Sequence, residues 1–188
     1  MNDNTLPFPR VKLLLDADVL IHFFKADKLF DLPTIFKEYD YILFDLVHNE
    51  LSQPAIRYAI NLLIKNGSLI LTEFPTSDDL IDYEFDYLRY ECNKGMGESA
   101  CMAYAKYHAK RDGVVASSNL RDLLPYCRDN NIPYLTTLDF LCRAMELKIF
   151  SEVECDDFIT KVLAKGSKLP VKRFRDYDCQ QKKIIKYS

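Results

Sequence analysis

The sequence lacks several patterns that would assign it to a familiar class of enzyme. Its six cysteines form no Cys-x-x-Cys pair and are not joined by a cluster of histidines, which argues against a zinc site. It contains no Gly-x-Ser-x-Gly motif, which argues against a serine hydrolase of the α/β type. Gly95 and Gly97 do not follow the first strand and lack the third glycine of a dinucleotide-binding fingerprint.

Long apolar segments are also missing. Residues 1–10 are polar and contain two prolines, with no apolar core of a signal peptide, and no apolar run approaches the length that crosses a bilayer. These features predict a cytoplasmic protein without a membrane partner. In that compartment we expect the cysteines to be reduced thiols in the core.

Length and charge indicate one domain with a distinct C-terminal end. A chain of 188 residues can bury a sizeable core, and its net charge is only −3. Residues 165–188 nevertheless hold eight basic and two acidic residues, so the rest of the chain is acidic. We therefore expect a domain over residues 1–164 and a basic tail over 165–188. The tail either meets a polyanion or folds back on the acidic body.

Apolar runs alternate with amphipathic segments along the whole chain. The runs predict five strands, at residues 11–15, 41–45, 68–72, 114–117 and 133–137. Helical patterns separate them, which is typical of parallel strands joined by right-handed crossovers. The expected fold class is α/β, a three-layer α/β/α sandwich with a mostly parallel five-stranded sheet.

Carboxylates follow several of these strands or begin the helices after them. They are Asp16 with Asp18, Glu50, Glu98 and Asp122. Because the carboxyl ends of parallel strands share one edge of a sheet, we expect these acids to lie together. Crowded carboxylates repel one another unless a cation lies between them, and oxygen ligands suit Mg²⁺ or Mn²⁺. Such a metal can activate water for attack on a phosphodiester, so hydrolysis of a nucleic-acid backbone is the reaction that fits best.

The order and spacing of these motifs resemble those of the PIN-domain family, nucleases that include toxins of many bacterial type II toxin–antitoxin pairs. Leu14-Leu15-Asp16-Ala17-Asp18 is similar to the family's opening strand, and Glu50 to the acid early in the helix after the second strand. Gly95-Met96-Gly97-Glu98-Ser99 resembles the third acidic motif, and Ser117-Ser118-Asn119-Leu120-Arg121-Asp122 the last. The run from Asp156 to Pro170 is similar to the end of one PIN subfamily.

The resemblance implies a ribonuclease that uses Mg²⁺ or Mn²⁺. Asp16, Glu98 and Asp122 would hold the metal, with Asp18 as an additional carboxylate, and Glu50 would orient the attacking water. Ser117 and Asn119 would bind the RNA substrate. The resemblance also implies toxin-like use, a cognate antitoxin and a homodimer.

Several alternatives remain open at this stage. Asp16 alone could be a helix N-cap, and Asp122 could either reach the metal or take part in a capping arrangement with Asn119. Many PIN domains carry an Asp where this chain has Ser118-Asn119, so a catalytically impaired nucleic-acid-binding or scaffold protein is the main rival. A phosphatase-like hydrolase using Asp16 and Asp18 is a third possibility.

The role of three tyrosines is open as well. Tyr83, Tyr87 and Tyr90 fall on one helical face, which is either part of the core or a surface for stacking bases or binding a protein.

Overall fold

A single sheet of five parallel strands forms the centre of the fold. The computed structural model describes residues 10–179, without the side chains of residues 109–112. The strands lie in the order β3-β2-β1-β4-β5, and every pair is parallel. Their bounds are β1 Lys12–Leu15, β2 Asp40–Phe44, β3 Ile70–Thr72, β4 Gly113–Ala116 and β5 Tyr134–Leu135. The predicted α/β fold with five strands is confirmed.

Helices flank this sheet, consistent with a three-layer α/β/α sandwich. They are α1 Ala17–Lys25, α2 Leu32–Ile35, α3 Asp45–Glu50, α4 Pro54–Lys65, α5 Asp79–Asp86, α6 Met96–Asp112, α7 Leu120–Asn130, α8 Thr137–Glu146 and α9 Glu152–Ala164. A π-helical turn, Tyr87–Glu91, continues α5. Helix α6 contacts β1, β2 and β4, and α3, α5 and α7 pack against it. Elsewhere in the fold, α9 packs against α1 and α8. Within residues 10–179, no helix is both long and apolar enough to cross a membrane.

The middle strand places the first acidic residue. Leu13, Leu14 and Leu15 are completely buried because β1 lies between β2 and β4 with helices packed over the sheet. Leu15 pairs with Ala116 of β4, and the backbone N–H of Asp16 donates to the carbonyl of Ala116 at 2.9 Å. The residues that follow β1 and β4 therefore emerge side by side at the carboxyl edge of the sheet.

Some element ends differ from their predicted positions by one or two residues. Asp45 was expected to end β2 but begins α3, because the strand ends at Phe44. The fifth strand is shorter than expected because Thr136 and Thr137 belong to the start of α8. There the side chains of Thr136 and Asp139 cap the helix reciprocally.

The first part of the basic tail folds back on the body. Phe174 is buried, and its backbone N–H donates to Asp156 Oδ1 at 2.7 Å. The hydroxyl of Tyr177 donates to Asp139 Oδ1, also at 2.7 Å, so this segment covers the start of α8. The basic residues Lys182, Lys183 and Lys186 lie outside the described residues.

The expectation of six reduced core thiols is wrong in two respects. Cys101, Cys127 and Cys155 are free and buried, as expected, but Cys92 is exposed. Cys142 of α8 and Cys179 form a disulfide, with their Cα atoms 5.6 Å apart. The spacing of the cysteines did not reveal this pair, because Cys179 reaches Cys142 only when the C-terminal segment folds back over α8.

Loss of this disulfide is expected to destabilise the protein. Replacing Cys142 with Ser, or reducing the wild type, should lower the free energy of unfolding by about 2–4 kcal/mol, because the cross-link closes a loop of 37 residues. For a chain of this size the fall in Tm should be about 5–10 °C, measured by circular dichroism. The exposed Cys92→Ser variant is the control and should melt like the wild type. Equal stability of Cys142→Ser and wild type would contradict the prediction.

Candidate functional site

Asp16 and Ser117 form the floor of the candidate site at the carboxyl edge of the sheet. Asp16 is only 7% exposed and is the N-cap of α1, where its Oδ1 accepts a hydrogen bond from the Ala17 backbone at 2.8 Å. Ser117 follows β4 directly, and its hydroxyl donates to the other carboxylate oxygen, Asp16 Oδ2, at 2.9 Å. The capping role and the site role of Asp16 are therefore compatible, since each uses a different oxygen.

Asp18 connects the start of α1 to the segment after β4. Its Oδ2 accepts from the Ser118 backbone N–H at 2.7 Å and from the Ser117 hydroxyl at 3.4 Å. Its Oδ1 is buried and has no hydrogen-bond partner within residues 10–179. A buried carboxylate oxygen without a partner is costly, so this atom has unused capacity to bind a donor or a cation.

Glu98 and Asp122 are connected by the side-chain amide of Asn119. Glu98 lies in the first turn of α6 and is 7% exposed. The Asn119 Nδ2 donates to Glu98 Oε1 at 3.3 Å and to Asp122 Oδ2 at 2.9 Å. Asp122 is also paired with Lys94, whose Nζ lies 3.2 Å from its Oδ1. The side chain of Asn119 does not cap the backbone of α7. Its amide instead bonds the two carboxylates, and this orients Asp122 toward Glu98.

Glu50 approaches the same region from the end of α3. Its Oε1 accepts a hydrogen bond from the Gly97 backbone N–H at 2.9 Å. A Cβ atom at position 97 would lie 2.8 Å from Glu50 Oε2 and 3.0 Å from Val47 Cγ2. Only glycine allows α3 to pack this closely against the start of α6.

Burial and mutual repulsion disfavour ionisation of three of these acids. Burial raises the pKa of Asp16 to about 6, despite the hydrogen bonds from Ser117 and Ala17, and the charge of Glu50 adds to the rise. Burial, followed by the charge of Asp16, raises the pKa of Asp18 well above its usual range. Burial and the charges of Asp16 and Asp122 raise the pKa of Glu98 to about 7. A cation at this edge would relieve that repulsion.

Asp122 differs from the other acids. The hydrogen bond from Asn119 and the neighbouring Lys94 lower its pKa. It is therefore ionised at neutral pH and already has a positive neighbour. Lys94 was not among the predicted site residues, although a basic residue directly before the Gly95-Met96-Gly97-Glu98 motif is a signal that the sequence carries.

The predicted residues thus lie in two groups, and the charge of Asp16 in one group raises the pKa of Glu98 in the other. Asp16, Asp18 and Ser117 are in direct contact, and Asn119 connects Glu98 to Asp122. Across the described part of the chain, no three His, Cys, Asp or Glu side chains are arranged to hold one metal ion. The oxygen-rich donor set suits a hard cation.

A chain of hydroxyl groups supports the segment after β4 and was not predicted. Ser118 Oγ lies 2.7 Å from Thr137 Oγ1 and accepts the Thr137 backbone N–H at 3.0 Å. Thr137 Oγ1 in turn lies 2.8 Å from Nδ1 of His22. Burial and the charge of Lys25 lower the pKa of His22 to about 4, so the ring is neutral at physiological pH. These contacts hold Ser118 in place beside the candidate site.

The tyrosines of α5 and the π-helical turn lie on the surface rather than in the core. Tyr83 is 71% exposed, Tyr87 46% and Tyr90 75%. Acidic side chains alternate with them along residues 78–91, which contain only one basic residue. This charge does not favour contact with RNA phosphates.

Comparison with family models, with curated proteins and with solved structures finds no match to this chain. The resemblance to PIN domains accordingly depends on the order of the acidic motifs.

Proposed function

We propose that the protein is a divalent-metal-dependent ribonuclease of the PIN type that hydrolyses RNA phosphodiester bonds. The observation that carries the proposal is the concentration of buried, repelling carboxylates at one sheet edge, where Asp16 and Glu98 are each 7% exposed. A folded protein retains such an arrangement at a cost in stability, and groups with raised pKa values in a cluster are typical of functional sites.

The residues that would hold the metal are Asp16, Glu98 and Asp122, with Asp18 as a further carboxylate. When bound, Mg²⁺ or Mn²⁺ supplies an activated water and stabilises negative charge on the phosphodiester. The partnerless Oδ1 of Asp18 adds an oxygen donor that no protein group within residues 10–179 uses.

The other side chains position these groups and the substrate. Ser117 fixes Asp16 through its hydroxyl, and the Gly97 N–H fixes one oxygen of Glu50, leaving the second oxygen to orient a water. The Asn119 amide and the Lys94 ammonium are donors at the same edge, suited to a phosphate oxygen of RNA. The motif resemblance extends the proposal to a toxin-like protein that acts as a homodimer with a cognate antitoxin.

The second candidate is a PIN-like binding or scaffold protein that does not turn over substrate. Two observations favour it: an amide, Asn119, bridges Glu98 and Asp122, and no three acids in residues 10–179 converge on one point. In this case the protein's own donors would take the place of the ion.

Metal titration and RNA cleavage together test the proposal. The full chain is titrated with Mn²⁺ by calorimetry and then incubated with single-stranded RNA in Mn²⁺ or in EDTA. The nuclease is supported if Mn²⁺ binds and RNA is cleaved only when the metal is present. Absence of binding at millimolar Mn²⁺, with intact RNA, would exclude the nuclease and support the scaffold.

A further inference from the structure

A small pocket lies beside Glu50, between α1 and the connection from α3 to α4. Ile21, Phe24 and Lys25 of α1 line one side, and Glu50, Gln53 and Ile56 line the other. Its volume is about 180 Å³. This is below the range of about 300–1,000 Å³ that is typical for drug-sized ligands, so the pocket suits one flat ring rather than a larger molecule.

The walls of the pocket match the chemistry of a nucleobase. Ile21 and Phe24 are half-buried and Ile56 is buried, so they offer an apolar surface that includes an aromatic ring. Gln53 is exposed at the start of α4 and can both donate and accept hydrogen bonds. Aromatic stacking with polar groups at the rim is how proteins bind bases of single-stranded nucleic acids.

The pocket shares Glu50 with the acidic cluster. Glu50 lines the pocket and also accepts the Gly97 hydrogen bond, and its charge contributes to the raised pKa of Asp16. Helix α1 carries Asp16 at its N-terminus and Phe24 near its end, a rise of about 12 Å for eight residues. A nucleotide in the pocket would therefore lie about 12 Å along α1 from a phosphodiester at Asp16.

Lys25 provides a positive charge at the same place. Its Nζ donates to the hydroxyl of Ser167 at 2.7 Å, and this uncharged partner leaves the charge of the ammonium group in place. An ammonium group at the pocket favours the phosphate of a bound nucleotide over a neutral ring.

We propose that this base pocket, formed by Ile21, Phe24, Lys25, Gln53 and Ile56, binds one nucleobase of single-stranded RNA on the same strand as the bond that is cleaved. The proposal rests on the proposed ribonuclease function and specifies how that site holds its substrate.

The test measures RNA binding without turnover. A fluorescein-labelled single-stranded RNA octamer of mixed sequence is titrated with the full chain in EDTA, and anisotropy is recorded. Phe24→Ala should weaken binding by about 10-fold, because base stacking on the ring is lost. Phe24→Leu keeps an apolar side chain against the core, and it should also bind more weakly than the wild type. The control is Phe30→Ala, which removes a ring that is 56% exposed on the surface and should leave affinity unchanged.

The outcomes test the base pocket independently of the nuclease activity. Equal affinities for the wild type and both Phe24 variants, or no binding by the wild type, would overturn the base pocket even if Mn²⁺-dependent cleavage occurs. Binding that depends on Phe24 but not on Phe30 supports the pocket, and it does so even if the protein cleaves no RNA and the nuclease proposal fails.

Discussion

Replacing Asp16 with Asn is expected to reduce RNA cleavage in Mn²⁺ by about 100-fold or more, because it removes a buried negative charge from the proposed metal site. Asn keeps the size of the side chain and an oxygen for the Ala17 hydrogen bond, so the fold should survive. Cleavage rates under single-turnover conditions measure the effect.

The same substitution should make the metal-free protein more stable at pH 7.5. Because burial raises the pKa of Asp16 to about 6, the folded state keeps this proton to a higher pH than the unfolded chain. The contribution of this group to stability is therefore complete below the unfolded pKa of about 4 and is lost as the pH rises through 6. Asp16→Asn should raise the free energy of unfolding at pH 7.5 by on the order of 1–3 kcal/mol, and the gain should disappear near pH 4.

Urea unfolding in EDTA at the two pH values measures this gain. The matched control is Asp86→Asn, which neutralises an exposed acid on α5 and should change neither stability nor cleavage. If Asp16→Asn cleaved RNA at the wild-type rate, the proposed mechanism would be wrong.

Gly97→Ala is expected to reduce cleavage by about 10–100-fold, since small displacements of catalytic groups cost rates of this order. The added Cβ would meet Glu50 Oε2 at 2.8 Å and the buried Val47 Cγ2 at 3.0 Å. Glu50 can turn away, but Val47 is in the core, so α3 must shift as well. The oxygen assigned to orient the water is thereby displaced.

Gly95→Ala is the control, because it adds the same methyl group two residues away. Its Cβ would meet only Glu98 Cβ, at the ordinary distance of 3.8 Å. Both variants reduce the freedom of the unfolded chain in the same way, so a difference between them reports on the native site. If Gly97→Ala and Gly95→Ala cleaved RNA equally fast, Glu50 would not have the role proposed for it.

The sequence predicted the fold class and part of the site because those depend on local patterns. Leucines without polar alternation indicated that β1 is buried on both faces, and the acid directly after them indicated the carboxyl edge of the sheet. The contact between Asp16 and Ser117 follows from two strand ends that are neighbours in a parallel sheet.

Other features depend on side-chain geometry and on segments distant in sequence. The orientation of the Asp122 carboxylate is set by the Asn119 amide and by Lys94, and a spacing pattern cannot orient either side chain. The pairing of Cys142 with Cys179 required the path of the C-terminal segment, and that path depends on the burial of Phe174.

The hydroxyl chain behind Ser118 has a consequence for the motions of the site. Ser118 lies in a loop, yet its N–H is bonded to Asp18 and its hydroxyl contacts Thr137, so helices on both sides of the loop restrain it. Local opening of this loop would break contacts to α1 and α8 at the same time, so the amide proton of Ser118 should exchange with solvent more slowly than that of an unrestrained loop residue. This part of the candidate site is therefore restrained by the two helices, although the chain there has no regular secondary structure.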